Sequence, residues 1–249
     1  MDIIWNISTQ DTKNITSFVE KYRNDPFVQQ RLERNLGDSK KDLSQETVWF
    51  ALVSCLATSQ QRSGPNSPVV KFINSDPFAL HYQSCVSSAD LETFTKEVLR
   101  EYGLRFHNRL SDYIAVNFRK LENGLWKQIE VHMKSLVPNA TPTQERKVAN
   151  FIDENLKGFG PKQSRNLLQT LGLSRYEIPF DSRIIKWLNI FGFPFKLSAT
   201  ALSDRNYYEL ISDGVQQLCS QSNIYPCVLD AAIFTSYDKG AWTDENVIW

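Results

Sequence analysis

The sequence lacks an excess of charge of either sign: 28 Lys and Arg face 28 Asp and Glu across 249 residues. A neutral chain has no global field to gather a polyanion, so any such contact must rest on a local cluster. Histidine is scarce, at three (His81, His107, His132), and the four cysteines (Cys55, Cys85, Cys219, Cys227) include no C-x-x-C pair. Zinc-site spacing is therefore absent, and the thiols read as buried and free in a reducing compartment. No apolar run approaches the length that crosses a bilayer. The opening "MDIIWNISTQ" lacks the basic start and apolar stretch of a secretory signal. The expectation is an intracellular protein, in cytoplasm or nucleoid, or in the nucleus of a eukaryotic host. Repeats, low-complexity tracts and runs of alternating strand residues are also missing.

What is present is helical patterning. Residues 44–61 start at Ser44, a plausible N-cap, and are apolar all round from Val48 to Leu56. Such a helix belongs at the centre of a domain. The segment turns polar at 58–67, and Gly64-Pro65 is expected to end it. Residues 88–103 carry a Ser or Asp start and a Gly stop. The stretch 108–137 reads as one long amphipathic helix, or two with a break near Asn123-Gly124. At 141–156, Thr141, Pro142 and Gln144 spell N-cap, first-turn proline and capping box. Helices are predicted at 161–172, 181–193 (capped by Asp181), 203–221 and 225–237. The fold class is all-α.

The stretch "NLKGFGPKQS" (155–164) breaks two of these helices with a tight glycine turn. Glycine permits positive φ or close backbone approach. The first amides of the second helix have no partner inside it and sit at its positive end, which suits an anion. Gly158, Gly160, Lys157, Ser164 and Arg165 are thus candidates for gripping a nucleic-acid backbone without reading sequence. Local charge agrees. Residues 155–190 hold six basic residues (Lys157, Lys162, Arg165, Arg175, Arg183, Lys186) against Glu177 and Asp181, an excess of four positive charges. A plain helical hairpin with a glycine C-cap is the bland alternative.

The run "LKGFGPKQS", followed by "PFDSRI" with Asp181 nineteen residues after Lys162, resembles the helix-hairpin-helix (HhH-GPD) DNA glycosylases. The lysine-to-aspartate spacing is most similar to the 8-oxoguanine DNA glycosylase/lyase branch. The resemblance covers roughly 141–192 strongly. It implies a single unit over 1–249, with the hairpin at about 144–172. Two helical subdomains would flank a DNA-binding cleft, and the N- and C-terminal helices would share one of them. It also implies removal of an oxidised purine from damaged double-stranded DNA by a monomer in base-excision repair. Lys162 would be the nucleophile that forms a Schiff base, and Asp181 the carboxylate that stabilises a cation-like sugar.

The same resemblance implies that Gln60, with Arg62 nearby, fills the gap left by the flipped base, unless these are only a polar helix exit. Asp230 and Phe234, four apart on one helix face, would read and stack the base. They could equally be a capping Asp and a core Phe. Some relatives hold a four-iron cluster on four cysteines near the C-terminus. Cys219 and Cys227 stand alone there, so no iron–sulfur cluster and no metal are expected. Asn166, Arg183 and Ser164 depart from the eukaryotic pattern. At this length a compact version, without those enzymes' additional N-terminal β-sheet domain, is expected. Alternatives are a glycosylase for an oxidised pyrimidine or alkylated purine, and a hairpin module that binds DNA without catalysis.

Overall fold

The computed structural model describes residues 3–61 and 63–238. Among them the architecture is all-helical. The first half comprises α1 (Thr9–Tyr22), α2 (Pro26–Leu36), α3 (Gln45–Ala57), α4 (Pro68–Ile73), α5 (Tyr82–Val86), α6 (Leu91–Glu101) and α7 (His107–Lys120). A kinked segment, Leu121–Leu125, joins α7 to α8 (Trp126–Lys134). Then follow α9 (Pro142–Asn155), α10 (Pro161–Thr170), α11 (Ser182–Phe191), a 3-10 turn at Thr200–Ser203, α12 (Arg205–Gln221) and α13 (Pro226–Asp238).

Local chemistry explains most boundaries. The Ser44 hydroxyl accepts from the Thr47 amide at the start of α3. Thr141 and Gln144 close a reciprocal capping box on α9, with Pro142 in its first turn. Asn123 and Gly124 leave helical geometry, Gly124 at φ 104°, which breaks α7 from α8 where the sequence suggests. One boundary differs from expectation. α3 ends at Ala57, well before Gly64-Pro65. The chain reverses instead through Gln60, held at φ 58°, once the apolar residues that bury α3 run out.

Two cores result. The first surrounds α3, whose Trp49, Leu52 and Leu56 pack against Phe72, Leu99, Ile114, Ile152 and Leu168. The second joins the chain's two ends. Ile15 and Val19 of α1 pack with Ile184 and Leu188 of α11, Tyr208 and Ile211 of α12, and Leu229 and Ile233 of α13. α2 leans on α13 through Phe27, Val28 and Ala231.

A buried polar network ties the cores together. Arg165 of α10 and Glu177, in the loop before α11, are both fully buried and paired at 2.8 Å. Glu177 also receives Arg146 at 2.8 Å, the Ser212 hydroxyl at 3.0 Å and the Gln216 amide at 2.9 Å. The Arg165 guanidinium lies 4.9 Å from the centre of the Tyr208 ring. Glu145, with burial pushing its carboxyl up to about 7, accepts the amides of Arg175, Tyr176 and Glu177. Two sequence expectations fall here. Arg165 is a core cation with no route to an external phosphate. Ser164 is equally buried, its hydroxyl donating to the carbonyls of Gly160 and Pro161.

Removing one member of a buried pair strands the other charge, which costs about 3–5 kcal/mol. Arg165→Met is therefore expected to lower unfolding free energy by about that amount in a urea titration.

Candidate active site and hairpin interface

The hairpin between α9 and α10 uses its two glycines differently. Gly158 sits at φ 84°, and a Cβ there would lie 2.3 Å from the Tyr113 ring and 2.9 Å from Leu56. The neighbouring Lys157 is pinned to α7: its amide donates to Asn117 Oδ1 at 2.7 Å, and Asn117 Nδ2 returns a bond to the Lys157 carbonyl at 2.9 Å. Gly160 departs from the expectation that both glycines need special geometry. It is extended (φ −118°, ψ −170°), and a Cβ there would meet nothing within 4 Å. Its lack of a side chain leaves open space outside the protein, beside the start of α10. Pro161 follows at the first turn, and the amides of Lys162 and Gln163 have no acceptor within the helix.

A cleft of about 1100 Å³ opens between the two cores. α10 supplies Lys162, Gln163, Asn166 and Gln169, and the end of α3 supplies Cys55 and Gln60. The α11 start supplies Asp181 and Arg183, α13 supplies Asp230 and Phe234, and α2 supplies Phe27 and Arg31. Lys162 and Asp181 thus share one cavity. Lys162 is half-buried, and no carboxylate pairs with it among the described residues.

Asp181 is held by four N–H donors: the amides of Arg183 and Ile184 at 2.8 and 3.1 Å, and the Arg183 Nε and terminal nitrogen at 2.7 and 2.6 Å. It caps α11 and faces the cleft at once. Asp230 is almost fully buried, and Gln169 Nε2 donates to its Oδ2 at 2.6 Å. Burial raises its carboxyl above the usual carboxylate range. The Phe234 ring stacks on Phe27, centroids 4.4 Å apart, with the Arg183 guanidinium 4.1 Å from the Phe234 centroid. The Cys55 thiol, pushed up to about 12 by burial, accepts from Asn166 Nδ2 at 3.4 Å.

At the rim, Gln60 Oε1 accepts from Arg109 at 3.1 Å. Arg62 lies outside the described residues. Four of the six basic residues of 155–190 are engaged within the protein. Arg165 pairs with Glu177, Arg183 with Asp181 and Lys157 with Asp112, while Arg175 bonds Asn139 and the Pro138 carbonyl. All four cysteines are buried free thiols, and no cluster of three or more His, Cys, Asp or Glu is placed to hold a metal among the described residues.

Sequence reasoning missed two groups. One is Phe27 and Arg31, from an α2 that carries no motif. The other is the exposed Phe106, held at φ 60° with the guanidiniums of Arg105 and Arg109 5.2 and 4.5 Å from its ring centroid. The alternation of basic and aromatic residues in "LRFHNR" was the available signal for the second.

A glycine hairpin that delivers a lysine into a cleft faced by a helix-capping aspartate defines a helix-hairpin-helix protein of the DNA glycosylase class. The chain belongs to the 8-oxoguanine DNA glycosylase family, whose model matches residues 28–224. It is 27% identical over 204 residues to the 8-oxoguanine DNA glycosylase/AP lyase of Sulfurisphaera tokodaii, covering 82% of this chain and 88% of that one. Its fold is similar to that of the Methanocaldococcus jannaschii 8-oxoguanine glycosylase/lyase in complex with DNA containing 8-oxoguanine. The TM-score is 0.66 at 18% identity, with 93% of this chain and 100% of that chain covered. The 8-oxoguanine DNA glycosylase of Thermotoga maritima gives 0.60 at 17% identity, with 91% and 97% covered. Among the described residues no helix is long and apolar enough to cross a membrane.

The two glycines separate experimentally. Gly158→Ala is expected to destabilise by at least about 1–3 kcal/mol through backbone strain alone. Gly160→Ala should leave stability unchanged or raise it by up to about 1 kcal/mol. Thermal or urea unfolding of the two variants checks both.

Proposed function

We propose that the protein is a bifunctional DNA N-glycosylase/AP lyase of base-excision repair that removes 8-oxoguanine through a Lys162 Schiff base. The observation that carries this reading is the placement of Lys162, unpaired among the described residues, and the anchored Asp181 in one cleft. The names of its relatives agree.

DNA is held as a duplex along the hairpin face. The orphan amides of Lys162 and Gln163 meet a phosphate where Gly160 leaves room, helped by the positive end of α10. The damaged nucleotide leaves the stack and enters the cleft. Gln60, Arg109 and Phe106 lie at the rim, beside the gap in the duplex. In the cleft, the buried carboxylate of Asp230 accepts from the Watson–Crick edge of the base, while the faces of Phe234 are taken by Phe27 and the Arg183 guanidinium rather than by the base.

The Lys162 amine attacks C1′, and the C1′–N9 bond breaks, its electron pair leaving with the base, which takes up a proton. Positive charge that develops on the sugar is stabilised by the carboxylate of Asp181, whose position four N–H donors hold throughout. Opening of the sugar ring at the C1′–O4′ bond gives the imine. Loss of a proton from C2′ then expels the 3′ phosphate oxygen, cutting the strand. The protons taken up by the base and lost from C2′ are exchanged with water, and no step calls on a metal, an iron–sulfur cluster or a second copy of the chain.

Incubation with a duplex carrying one 8-oxoguanine, followed by borohydride, is expected to give a covalent protein–DNA adduct. Lys162→Gln should abolish it. An undiminished adduct in that variant would remove Lys162 as nucleophile. The wild-type yield should be unchanged by prior treatment with EDTA, and a loss would overturn the cofactor-free reading.

A further inference from the structure

We infer that Arg31 of α2 is a specificity-determining residue that donates to O6 of the extruded base, beside the Asp230 carboxylate. The inference deepens the function proposed above and rests on it.

Arg31 lines the same cleft as Lys162, Asp230 and Phe234. Its Nε and one terminal nitrogen are shielded from water, and among the described residues neither has a hydrogen-bond acceptor. Buried guanidinium donors are almost always filled, because an unfilled one forfeits its hydration with nothing in return. The side chain as a whole lines the cleft, and its other terminal nitrogen is not among the shielded atoms. The guanidinium carbon lies over the Phe27 ring, 5.1 Å from its centre, which holds the side chain against its own helix at the cleft wall. Asp230 is near enough for its charge to act on Arg31, yet no ion pair joins them among the described residues. Burial lowers the proton affinity of Arg31 and raises that of Asp230, the mark of two opposite charges left apart in a dry site.

A donor and an acceptor set apart on one cavity wall match one edge of a base. A guanine-type ring presents, in order, the acceptor O6, the donor N1–H and the donor amine at position 2. Asp230 takes the two donors and Arg31 takes O6. The base closes the gap that keeps the two side chains apart. An adenine-type ring offers an amine at position 6 and a bare N1, which sets donor against donor and acceptor against acceptor. Such mismatches leave buried groups unpaired and discriminate far more strongly than a difference in shape. Because O6 is common to guanine and 8-oxoguanine, this contact selects the parent base. It does not read the oxidation.

Three duplexes test the assignment: one with 8-oxoguanine, one whose lesion has sulfur in place of O6, and one with an abasic site. The sulfur analogue keeps N1–H and the amine and exchanges only O6 for a poor acceptor. Wild-type protein is expected to release 8-oxoguanine at least about tenfold faster than the analogue. Arg31→Met should slow release of 8-oxoguanine by roughly ten- to a hundredfold, and the ratio between the two lesions should collapse toward one. A purely structural arginine would slow both lesions alike and leave the ratio intact, which would overturn the assignment. Equal release of both lesions by wild-type protein would overturn it without recourse to any variant. Should Arg31→Met fail to fold, Arg31→Lys keeps the charge but loses the forked donors, and the ratio should fall there too. Wild-type protein that cuts the abasic duplex but releases no 8-oxoguanine would fail the substrate proposed above, a result distinct from any loss confined to the Arg31 variants.

Discussion

The buried pair of Arg165 and Glu177 is the constraint on which the site depends. Two charges removed from water are costly, and only near-complete hydrogen bonding offsets that cost. Here Glu177 collects Arg165, Arg146, Ser212 and Gln216, while Arg165 also reaches Asn150 and the Pro161 carbonyl. The positional consequence is direct. Lys162 precedes Arg165 by one turn of α10, and Asp181 follows Glu177 by four residues. Tyr208 reinforces the link by accepting from the Phe180 amide and donating to the Ile178 carbonyl. A pair that tolerates little displacement thus holds Lys162 and Asp181, the residues proposed to react, in register, although they belong to separate cores.

The cleft is built from elements far apart in the chain. α10 and the end of α3 belong to the first core, α11 and α13 to the second, and α2 leans across onto α13. Its polar groups divide by state. Asp181 is saturated by donors and rigid. Lys162 carries no ion pair among the described residues. Arg31 and Asp230 are desolvated, and no ion pair joins them among the described residues. A site with an anchored anion, an available amine and unfilled hydrogen-bonding capacity on its wall is arranged for a ligand that brings complementary groups.

Much of the framework was legible in the sequence. Helical periodicity, the Ser44, Thr141 and Asp181 caps and the Asn123-Gly124 break all appear where they were read, because caps and periodicity are local physics. The hairpin and the lysine-to-aspartate spacing sufficed to indicate the family. The errors share one cause. Arg165 looked like a surface cation, and Ser164 like a hairpin contact, because a one-dimensional charge count does not know that Glu177 folds back over α10. The two glycines looked equivalent although only Gly158 is crowded, since Tyr113 arrives from α7, some forty residues earlier.

The amino-acid order by itself determined the helices, their caps, the sharp turn at the hairpin and the chemical types of the two residues proposed to react. These follow from hydrogen bonds and side-chain patterns within a few residues of one another. Only the tertiary structure decided which positive charges are buried and neutralised and which face the cleft. It also brought α2, with Phe27 and Arg31, into the cleft that Lys162 lines. Those outcomes depend on packing between segments separated by twelve residues, for Arg165 and Glu177, to more than a hundred, for α2 and α10, where no local pattern carries the information.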